Sequence, residues 1–226
     1  QRLSRGLGDV YKRQVLFDLD GTLADTSTDM CNALNVILNK RGLKTVECKD
    51  LKYHISRGAV GIIKYASEVN GRSIDSSMIR SDFLEEYSKN CFVETKLVQG
   101  MSDLLDSLEK NGLRWGIVTN KHSKYVNKIV DGLDLSDRLS CLVTGNMVKE
   151  AKPAPDSLIQ AMCILEEEPS NIVYVGDDER DIIAGKAAGV STVVANFGFI
   201  QDSSVINTWN ADNIIIEPLE LTSIIN

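Results

Sequence analysis

The chain has 226 residues, of which 43% are hydrophobic, 25% charged and 6% aromatic, and its formal net charge is −7. This composition is typical of a globular protein and excludes long disordered, collagen-like or coiled-coil structure. The acidic balance argues against nucleic acid or an anionic membrane as a partner, and no apolar run approaches the roughly 20 residues of a transmembrane helix.

Residues 1–14 differ from the rest of the chain. They carry four basic residues against one acidic residue and contain no apolar stretch that could serve as a secretory signal. We predict that this segment is a non-native or disordered lead-in outside the working fold; a short surface helix is the alternative.

The predicted elements follow in chain order. Val15-Leu16-Phe17 is an apolar run that predicts a buried strand, which ends at Asp18-Leu19-Asp20-Gly21. Residues 27–95 show apolar spacing typical of helices throughout. Beyond them, predicted strands alternate with predicted helices: strands at 113–118, 141–143, 172–175 and 192–195, and helices at 101–108, 125–130, 158–165 and 181–188.

This alternation determines the predicted fold class. Strands that alternate with helices pair in parallel, with helices on both faces of the sheet. We therefore predict an α/β fold, a Rossmann-like doubly wound parallel sheet. Residues 15–26 and 97–226 form its core domain, and residues 27–96 form an inserted helical domain.

The five cysteines are odd in number and far apart along the chain. Their spacing matches neither a zinc site nor a disulfide framework. We predict reduced thiols, mostly small core residues, in a cytoplasmic protein.

Acidic residues follow two of the predicted strands. In a parallel sheet, ligands bind outside the carboxyl ends of the strands. Asp18 and Asp20 are two residues apart and project the same way, while Asp177, Asp178 and, one helical turn on, Asp181 follow a later strand. Carboxylates that lie this close together repel one another unless a cation compensates their charge. A hard divalent cation such as Mg²⁺ fits best, and the ammonium of Lys152 is the second candidate for the compensating charge.

Structural explanations exist for some of these residues. Asp178 and Asp181 could cap a helix, and Thr119 and Asn120 could do the same after an earlier strand. Asp18 has no such explanation, because a buried strand end gives a lone carboxylate no partner. Arg57 is the only charged residue of the loop at residues 56–59, where a substrate contact and a solvated helix start are equally good interpretations.

Four motifs carry a family resemblance. Asp18-Leu19-Asp20-Gly21-Thr22-Leu23-Ala24-Asp25 resembles the first motif, DxDGT(L)xD, of the haloacid dehalogenase-like hydrolases. Three further segments resemble their second, third and fourth motifs, in order: Val118-Thr119-Asn120-Lys121, Lys152-Pro153 with Pro155-Asp156, and Gly176-Asp177-Asp178-Glu179-Arg180-Asp181. The helical insert lies where this family places a C1-type cap. The chain is most similar to the phosphoglycolate phosphatase group and to a branch that dephosphorylates N-acetylmuramic acid 6-phosphate.

The resemblance implies a mechanism. Asp18 would be the nucleophile that forms an aspartyl-phosphate, and Asp20 would be the general acid and base. Mg²⁺ would be held by Asp18, by the Asp20 backbone carbonyl and by Asp177. Lys152 would offset negative charge on Asp18 and on the phosphoryl group.

The resemblance also implies supporting roles. The Thr119 hydroxyl, the Asn120 backbone and Lys152 would bind phosphate oxygens, and Gly21 would provide the sharp turn beside them. Asp178 and Asp181 would contact the residues that bind the metal and the phosphate rather than those ligands themselves. Asp181 would be a partner of Lys152 or of a metal-bound water.

The expected activity is therefore Mg²⁺-dependent hydrolysis of a small phosphomonoester, phosphoglycolate phosphatase-like. N-acetylmuramic acid 6-phosphate is the alternative substrate; a phosphomutase and a non-catalytic binding module are further alternatives. The expected partner is a small phosphorylated metabolite, with no nucleic acid or membrane, and the expected state is a monomer or homodimer.

Overall fold

A computed structural model describes residues 13–225 of the chain, apart from the side chains of Ser76 and Met78. The strands are β1 (Gln14–Phe17), β2 (Ala24–Asp25), β3 (Lys96–Leu97), β4 (Trp115–Thr119), β5 (Cys141–Thr144), β6 (Ile172–Gly176), β7 (Ser191–Ala195) and β8 (Asn213–Ile215). Six of them form one parallel sheet in the order β5-β4-β1-β6-β7-β8. The other two, β2 and β3, form an antiparallel ribbon.

Eight α-helices lie in the described part of the chain. They are α1 (Ser27–Lys40), α2 (Cys48–Leu51), α3 (Gly58–Val69), α4 (Ser76–Lys89), α5 (Met101–Lys110), α6 (Ser123–Gly132), α7 (Asp156–Leu165) and α8 (Glu179–Ala188). None of those helices combines the length and the apolar character that a bilayer span requires.

Helices cover both faces of the main sheet, as β1 shows. Val15 and Phe17 pack in an apolar cluster with residues of α5 and α6, such as Leu105 and Ile129. Leu16, which lies between them in sequence, packs in another cluster with residues of α7. Because successive residues of a strand point to opposite faces, β1 is buried on both sides. The predicted doubly wound α/β sheet is confirmed.

Helices α1 to α4 gather around an apolar cluster of their own, which includes Leu34, Ile62 and Phe83. Tyr125 of α6 and Phe199, after β7, also belong to this cluster, so it contacts the sheet-bearing part of the chain. A cavity remains between the two parts beside that contact, and it is described below.

The ribbon of β2 and β3 lies where the chain leaves the sheet for the helical insert and where it returns. There Ala24 pairs with Leu97. Nearby, the buried carboxylate of Asp29 accepts the backbone N–H groups of residues 93–95 at 2.9 to 3.1 Å. These bonds tie the first helix of the insert to its last segment. The ribbon lies at the predicted limits of the insert, residues 27–96. That the insert is a separate domain stays a prediction.

Several predicted boundaries need correction. The strand β1 begins at Gln14, whose side-chain oxygen accepts the N–H of Arg114 at 2.6 Å, so the predicted lead-in overlaps the sheet by one residue. Residues 1–12 lie outside the described part. The last helix of the insert, predicted to run from Ser76 to about Cys91, covers Ser76–Lys89, so the end of the stretch 27–95 that was predicted to be helical lies outside it. The edge strand β8 was not predicted, because it is short and two of its three residues are exposed.

The prediction that every cysteine is a reduced thiol is wrong. Cys31 and Cys48 form a disulfide between α1 and the start of α2, with their Cα atoms 5.4 Å apart. This pairing depends on how the two helices pack, which sequence spacing does not reveal. Cys91, Cys141 and Cys163 are free, as predicted, and the first two of them are buried.

Candidate active site

The site lies at the carboxyl ends of three neighbouring strands. Asp18 follows β1, Thr119 ends β4 and Asp177 follows β6, and these strands are adjacent in the sheet. All three side chains are buried, since Asp18 is 8% exposed, Thr119 2% and Asp177 3%. Parallel pairing thus brings together residues that lie far apart in sequence, as the strand-end argument predicted.

Lys152 is the centre of a buried hydrogen-bond network. Its ammonium donates to Asp18 Oδ1 at 2.9 Å, to Asp181 Oδ1 at 2.6 Å and to the Val118 carbonyl at 3.1 Å. The Tyr174 hydroxyl lies 2.6 Å from the same nitrogen. Burial disfavours the ammonium, but the negative charges of Asp18 and Asp181 outweigh burial and raise the pKa of Lys152. The lysine is therefore a permanent cation shared by two carboxylates.

The backbone of Lys152 is held by the side chain of Asn120. The Asn120 amide donates to the Lys152 carbonyl and accepts the Lys152 N–H, each at 2.9 Å. This two-way contact joins the end of β4 to the segment that precedes α7. The side chain of Asn120 thus positions the lysine, which leaves only the Asn120 backbone available for the predicted phosphate contact.

Three carboxylates come together beside this lysine. Oxygen atoms of Asp18, Asp177 and Asp181 lie within 4.8 Å of one another, and all three residues are buried. Burial raises the pKa of Asp18 from 3.8 to about 6; Lys152 opposes the rise, and Asp181 and Asp20 add to it. Burial, with the charges of Asp18 and Asp181, also raises the pKa of Asp177 well above its usual range. The site therefore holds more negative charge than one lysine offsets.

This donor set fits a hard divalent cation. Mg²⁺ prefers oxygen ligands and is held by one or two carboxylates together with other oxygens. Asp181 is already ion-paired with the Lys152 ammonium at 2.6 Å, and its other oxygen accepts the Asp178 N–H at 3.1 Å. The hydrogen bonds that Asp177 accepts from the described residues come only from neutral donors, and Asp18 has one oxygen that Lys152 does not contact. Asp18 and Asp177 are thus the carboxylates best placed to hold a cation, and both belong to the predicted metal set.

The carboxylate of Asp20, the third member of that set, lies in a different contact. Its Oδ1 accepts the Lys121 ammonium at 2.7 Å and a short hydrogen bond from the Thr26 hydroxyl. Burial disfavours the Lys121 ammonium, but Asp20 and Tyr87 together outweigh burial, so the pKa of Lys121 is raised. The predicted role of Asp20 in metal binding involves its backbone carbonyl. The Asp20 carboxylate can therefore contact Lys121 and Thr26 without loss of that role.

Two glycines make room for Asp177. Gly21 has a φ of 83°, and a side chain there would collide with the carboxylate of Asp177. A side chain at Gly198 would reach within 2.5 Å of Asp177 Cβ. The carboxylate is fixed by the Phe199 N–H at 2.6 Å and by the Thr22 hydroxyl at 3.2 Å. Gly21 therefore provides the tight turn predicted for it, and its direct neighbour is a carboxylate.

Asp178 has the capping role that the sequence allowed. It is the N-cap of α8 and forms a reciprocal capping box with Asp181. Its carboxylate also accepts Arg180 Nε at 2.7 Å, and despite burial the contacts with Arg180 lower the pKa of Asp178. The Arg180 guanidinium in turn donates a short hydrogen bond to the Ser56 carbonyl in the helical insert. This residue pair links α8 to the loop before α3.

A cavity of about 330 Å³ opens above these groups, between the sheet and the helical insert. The predicted site residues that line it are Asp18, Asp20, Arg57, Thr119, Asn120, Lys152, Asp178 and Asp181. Gly21 and Asp177 lie behind this lining. The exposed side chain of Arg57 reaches the cavity from the insert, together with Arg80, Leu84 and Tyr87 of α4.

Sequence reasoning missed several partners. Lys121 belongs to the second motif but was given no role, and Thr26 follows the first motif. Tyr174 lies in β6, and a tyrosine in a strand expected to be fully buried is a signal, because its hydroxyl needs a buried partner. That hydroxyl contacts both the Val118 carbonyl and Asp181 at 3.0 Å.

Comparison with known proteins agrees with this geometry. A family model described as haloacid dehalogenase-like hydrolase matches residues 15–195. The chain is 38% identical over 214 residues to an N-acetylmuramic acid 6-phosphate phosphatase of Pseudomonas putida, which covers 95% of this chain and 96% of the relative. It is 34% identical over 211 residues to a phosphoglycolate phosphatase of Xanthomonas campestris pv. campestris, covering 93% and 95% respectively.

Solved structures share the fold. The crystal structure of a predicted phosphoglycolate phosphatase from Haemophilus somnus matches with a TM-score of 0.85 at 22% identity, covering 97% of this chain and 100% of that one. The chain belongs to the haloacid dehalogenase-like hydrolases. It is an enzyme, a phosphatase of this family, as the motifs predicted, and the non-catalytic alternative is set aside.

Proposed function

We propose that the protein is a Mg²⁺-dependent phosphomonoesterase that acts through an aspartyl-phosphate. The observation that carries this proposal is the buried pair of Asp18 and Lys152 in the lining of the cavity, with the Asp177 carboxylate within 4.8 Å of Asp18 behind that lining. A nucleophilic carboxylate, a cation site and a fixed ammonium are the groups that phosphoryl transfer requires.

Asp18 is the proposed nucleophile. Its Oδ1 is occupied by Lys152, whereas Oδ2 accepts no hydrogen bond from the residues that the structure describes. An oxygen of Asp18 attacks phosphorus, the ester P–O bond breaks, and the electron pair leaves with the alcohol oxygen. Bound Mg²⁺ would be held by Asp18, Asp177 and the Asp20 carbonyl and would supply positive charge that lets one anion approach another.

Asp20 is the proposed general acid and base. Protonated, it gives its proton to the leaving oxygen; ionised, it then takes a proton from the water that attacks the aspartyl-phosphate. Such help is worth roughly 10²–10⁴-fold in rate. The contacts with Lys121 and Thr26 hold the carboxylate in one place for both steps.

The phosphoryl oxygens are bound by groups that surround Asp18. We assign this role to the Thr119 hydroxyl, the Asn120 backbone and the Lys152 ammonium, with the turn at Gly21 beside them. Thr119 is nearly inaccessible to solvent and its hydroxyl also accepts the Lys121 N–H at 3.1 Å. These donors act in a water-poor site, where they stabilise developing charge most strongly.

The size of the cavity bears on the substrate. A volume of about 330 Å³ lies at the lower end of the range of about 300–1,000 Å³ typical of small-molecule sites, which leaves room for a sugar phosphate. Its walls include apolar or aromatic side chains: Met30, Leu84, Tyr87 and Tyr125. These features favour a sugar phosphate, and N-acetylmuramic acid 6-phosphate is the substrate named for the Pseudomonas relative. Phosphoglycolate, named for the Xanthomonas relative, is the second candidate.

Location and assembly stay predictions. We continue to predict a monomer or homodimer that binds a small phosphorylated metabolite and binds neither nucleic acid nor a membrane. The predicted cytoplasmic location is weakened by the Cys31–Cys48 disulfide, because such bonds are rare in that compartment.

Phosphate release from p-nitrophenyl phosphate, N-acetylmuramic acid 6-phosphate and phosphoglycolate, with Mg²⁺ and with a chelator, tests the proposal. We expect turnover that depends on Mg²⁺ and a higher kcat/KM for the sugar phosphate. Turnover that survives complete metal removal, or a folded protein with no turnover on any of the three, would refute it.

A further inference from the structure

The charges around the cavity are unbalanced. Its lining contains four acidic residues and six basic ones. Every acidic residue already has a basic partner: Asp18 and Asp181 share Lys152, Asp20 pairs with Lys121, and Asp178 pairs with Arg180. The basic residues left over are Arg57, Arg80 and Lys124, and within the described part of the chain no carboxylate lies at ion-pair distance from any of them.

Two of these three residues lie on opposite sides of the boundary between the insert and the sheet-bearing part. Arg80 lies on α4 and Lys124 lies on the first turn of α6. Both line the cavity and also an adjoining outer groove that contains the serines 77, 81 and 88. Glu85, the acidic residue of that groove, is bound to Lys89 at 3.1 Å and does not neutralise them.

Lys124 and Arg80 stand on anchored elements. The Lys124 ammonium lies 4.7 Å from the centre of the Tyr125 ring, and the Tyr125 hydroxyl donates to the Leu84 carbonyl of α4 at 3.2 Å. This bond joins the two helices one turn from Arg80 and at the residue next to Lys124. The two cations are therefore held beside one opening while their charged groups remain exposed to solvent.

Bound Mg²⁺ would offset the two negative charges that Lys152 leaves among Asp18, Asp177 and Asp181. A phosphate dianion then faces the three cations left over among the described residues, so one positive charge remains without a counter-charge. Cations that stay unpaired in a partly enclosed cavity repel each other and attract an anion. A carboxylate suits them, since arginine binds it through a planar fork and lysine as a point charge.

We propose that Arg80 and Lys124 form a carboxylate subsite, which binds an acidic group on the leaving alcohol of the substrate. The proposal rests on the phosphatase function proposed above and deepens it, because it assigns the residues that select an acidic substrate over a neutral sugar phosphate. Specificity then comes from both sides of the boundary, one cation from the insert and one from the sheet-bearing part.

Matched substrates test this subsite. N-acetylmuramic acid 6-phosphate and N-acetylglucosamine 6-phosphate share the sugar and the phosphate, and only the first carries a lactyl carboxylate. We expect the wild type to prefer the acid, and Arg80→Gln or Lys124→Gln to lower the ratio of the two kcat/KM values by about 10- to 100-fold, the worth of a hydrogen bond to a charged group. Arg72→Gln, an exposed insert arginine away from the cavity, is the matched control and should leave the ratio unchanged.

The outcomes separate the subsite from the proposed function. An unchanged ratio in both variants, or an equal loss on both substrates, overturns the subsite while phosphatase activity stands. A protein that releases no phosphate even from p-nitrophenyl phosphate overturns the proposed function. In that event calorimetric binding of N-acetylmuramic acid against N-acetylglucosamine still decides the subsite: binding of the acid that Arg80→Gln weakens supports it, and equal or absent binding of both rejects it.

Discussion

Replacement of the nucleophile tests the electrostatics of the site in the absence of metal. In the folded protein, burial raises the pKa of Asp18 to about 6 from 3.8. Between these two values the folded state binds more protons than the unfolded chain, so stability falls as pH rises through this window, and the loss is complete above about pH 6. The difference between the two pKa values corresponds to a cost of about 3 kcal/mol at pH 8.

Asp18→Asn removes this cost, because asparagine has the shape of the protonated acid and no charge. With a chelator present, we expect the variant to be more stable than the wild type by about 1 kcal/mol at pH 4.5 and about 3 kcal/mol at pH 8. Other groups that titrate alike in both proteins cancel in this difference. The same variant should have no phosphatase activity, since it lacks the attacking oxygen.

Urea unfolding at several pH values between 4.5 and 8 measures this difference. Asp137→Asn, the same substitution at an exposed position, is the matched control. Mg²⁺ should stabilise the wild type more than Asp18→Asn, because a cation is bound more tightly by an ionised carboxylate. A gap that does not grow with pH, or a variant less stable than the wild type at pH 8, would refute the reasoning.

Further predictions concern the neighbouring groups. Asp20→Asn should lower kcat for an alkyl phosphate by about 10²–10⁴-fold, and a steady-state rate near that of the wild type would exclude its acid–base role. Lys152→Met should lower the free energy of unfolding of the metal-free protein by about 3–5 kcal/mol, measured in urea, because two buried carboxylates lose their shared cation; an unchanged midpoint would contradict this. Asn120→Ala should reduce kcat through misplacement of Lys152, with a smaller effect on unfolding than Lys152→Met; the opposite order would point to a purely structural asparagine. Reduction of the Cys31–Cys48 bond, which closes a separation of 17 residues, should lower the free energy of unfolding by about 3 kcal/mol, and five titratable thiols in the unreduced, denatured chain would show that the bond is absent.

The sheet and the strand-end carboxylates could be predicted because their signals are local. Val15-Leu16-Phe17 is apolar on both faces, as a central strand must be, and Asp18 directly after it has no local partner. The same reasoning placed Thr119 and Asp177 at strand ends, and the structure shows that both strands are neighbours of β1. The sequence order of the motifs then identified the family.

Features that depend on packing between distant segments could not be predicted. The Cys31–Cys48 bond requires the contact of α1 with α2, and β8 pairs with β7 although its own residues carry little apolar signal. Lys121 looks like an ordinary surface lysine in sequence, and only the fold places it against Asp20. The excess of unpaired cations at Arg80 and Lys124 likewise becomes visible only when α4 packs near α6.

The central claim is that Asp18 accepts the phosphoryl group beside a cation shared with Asp177. A crystal structure of the protein with Mg²⁺ and beryllium trifluoride, a mimic of a carboxylate-bound phosphoryl group, tests it most directly. We expect the beryllium on an Asp18 carboxylate oxygen, Mg²⁺ between Asp18 and Asp177, and Lys152 against the fluorides. An adduct on any other residue, or Mg²⁺ bound away from these two carboxylates, would contradict the account.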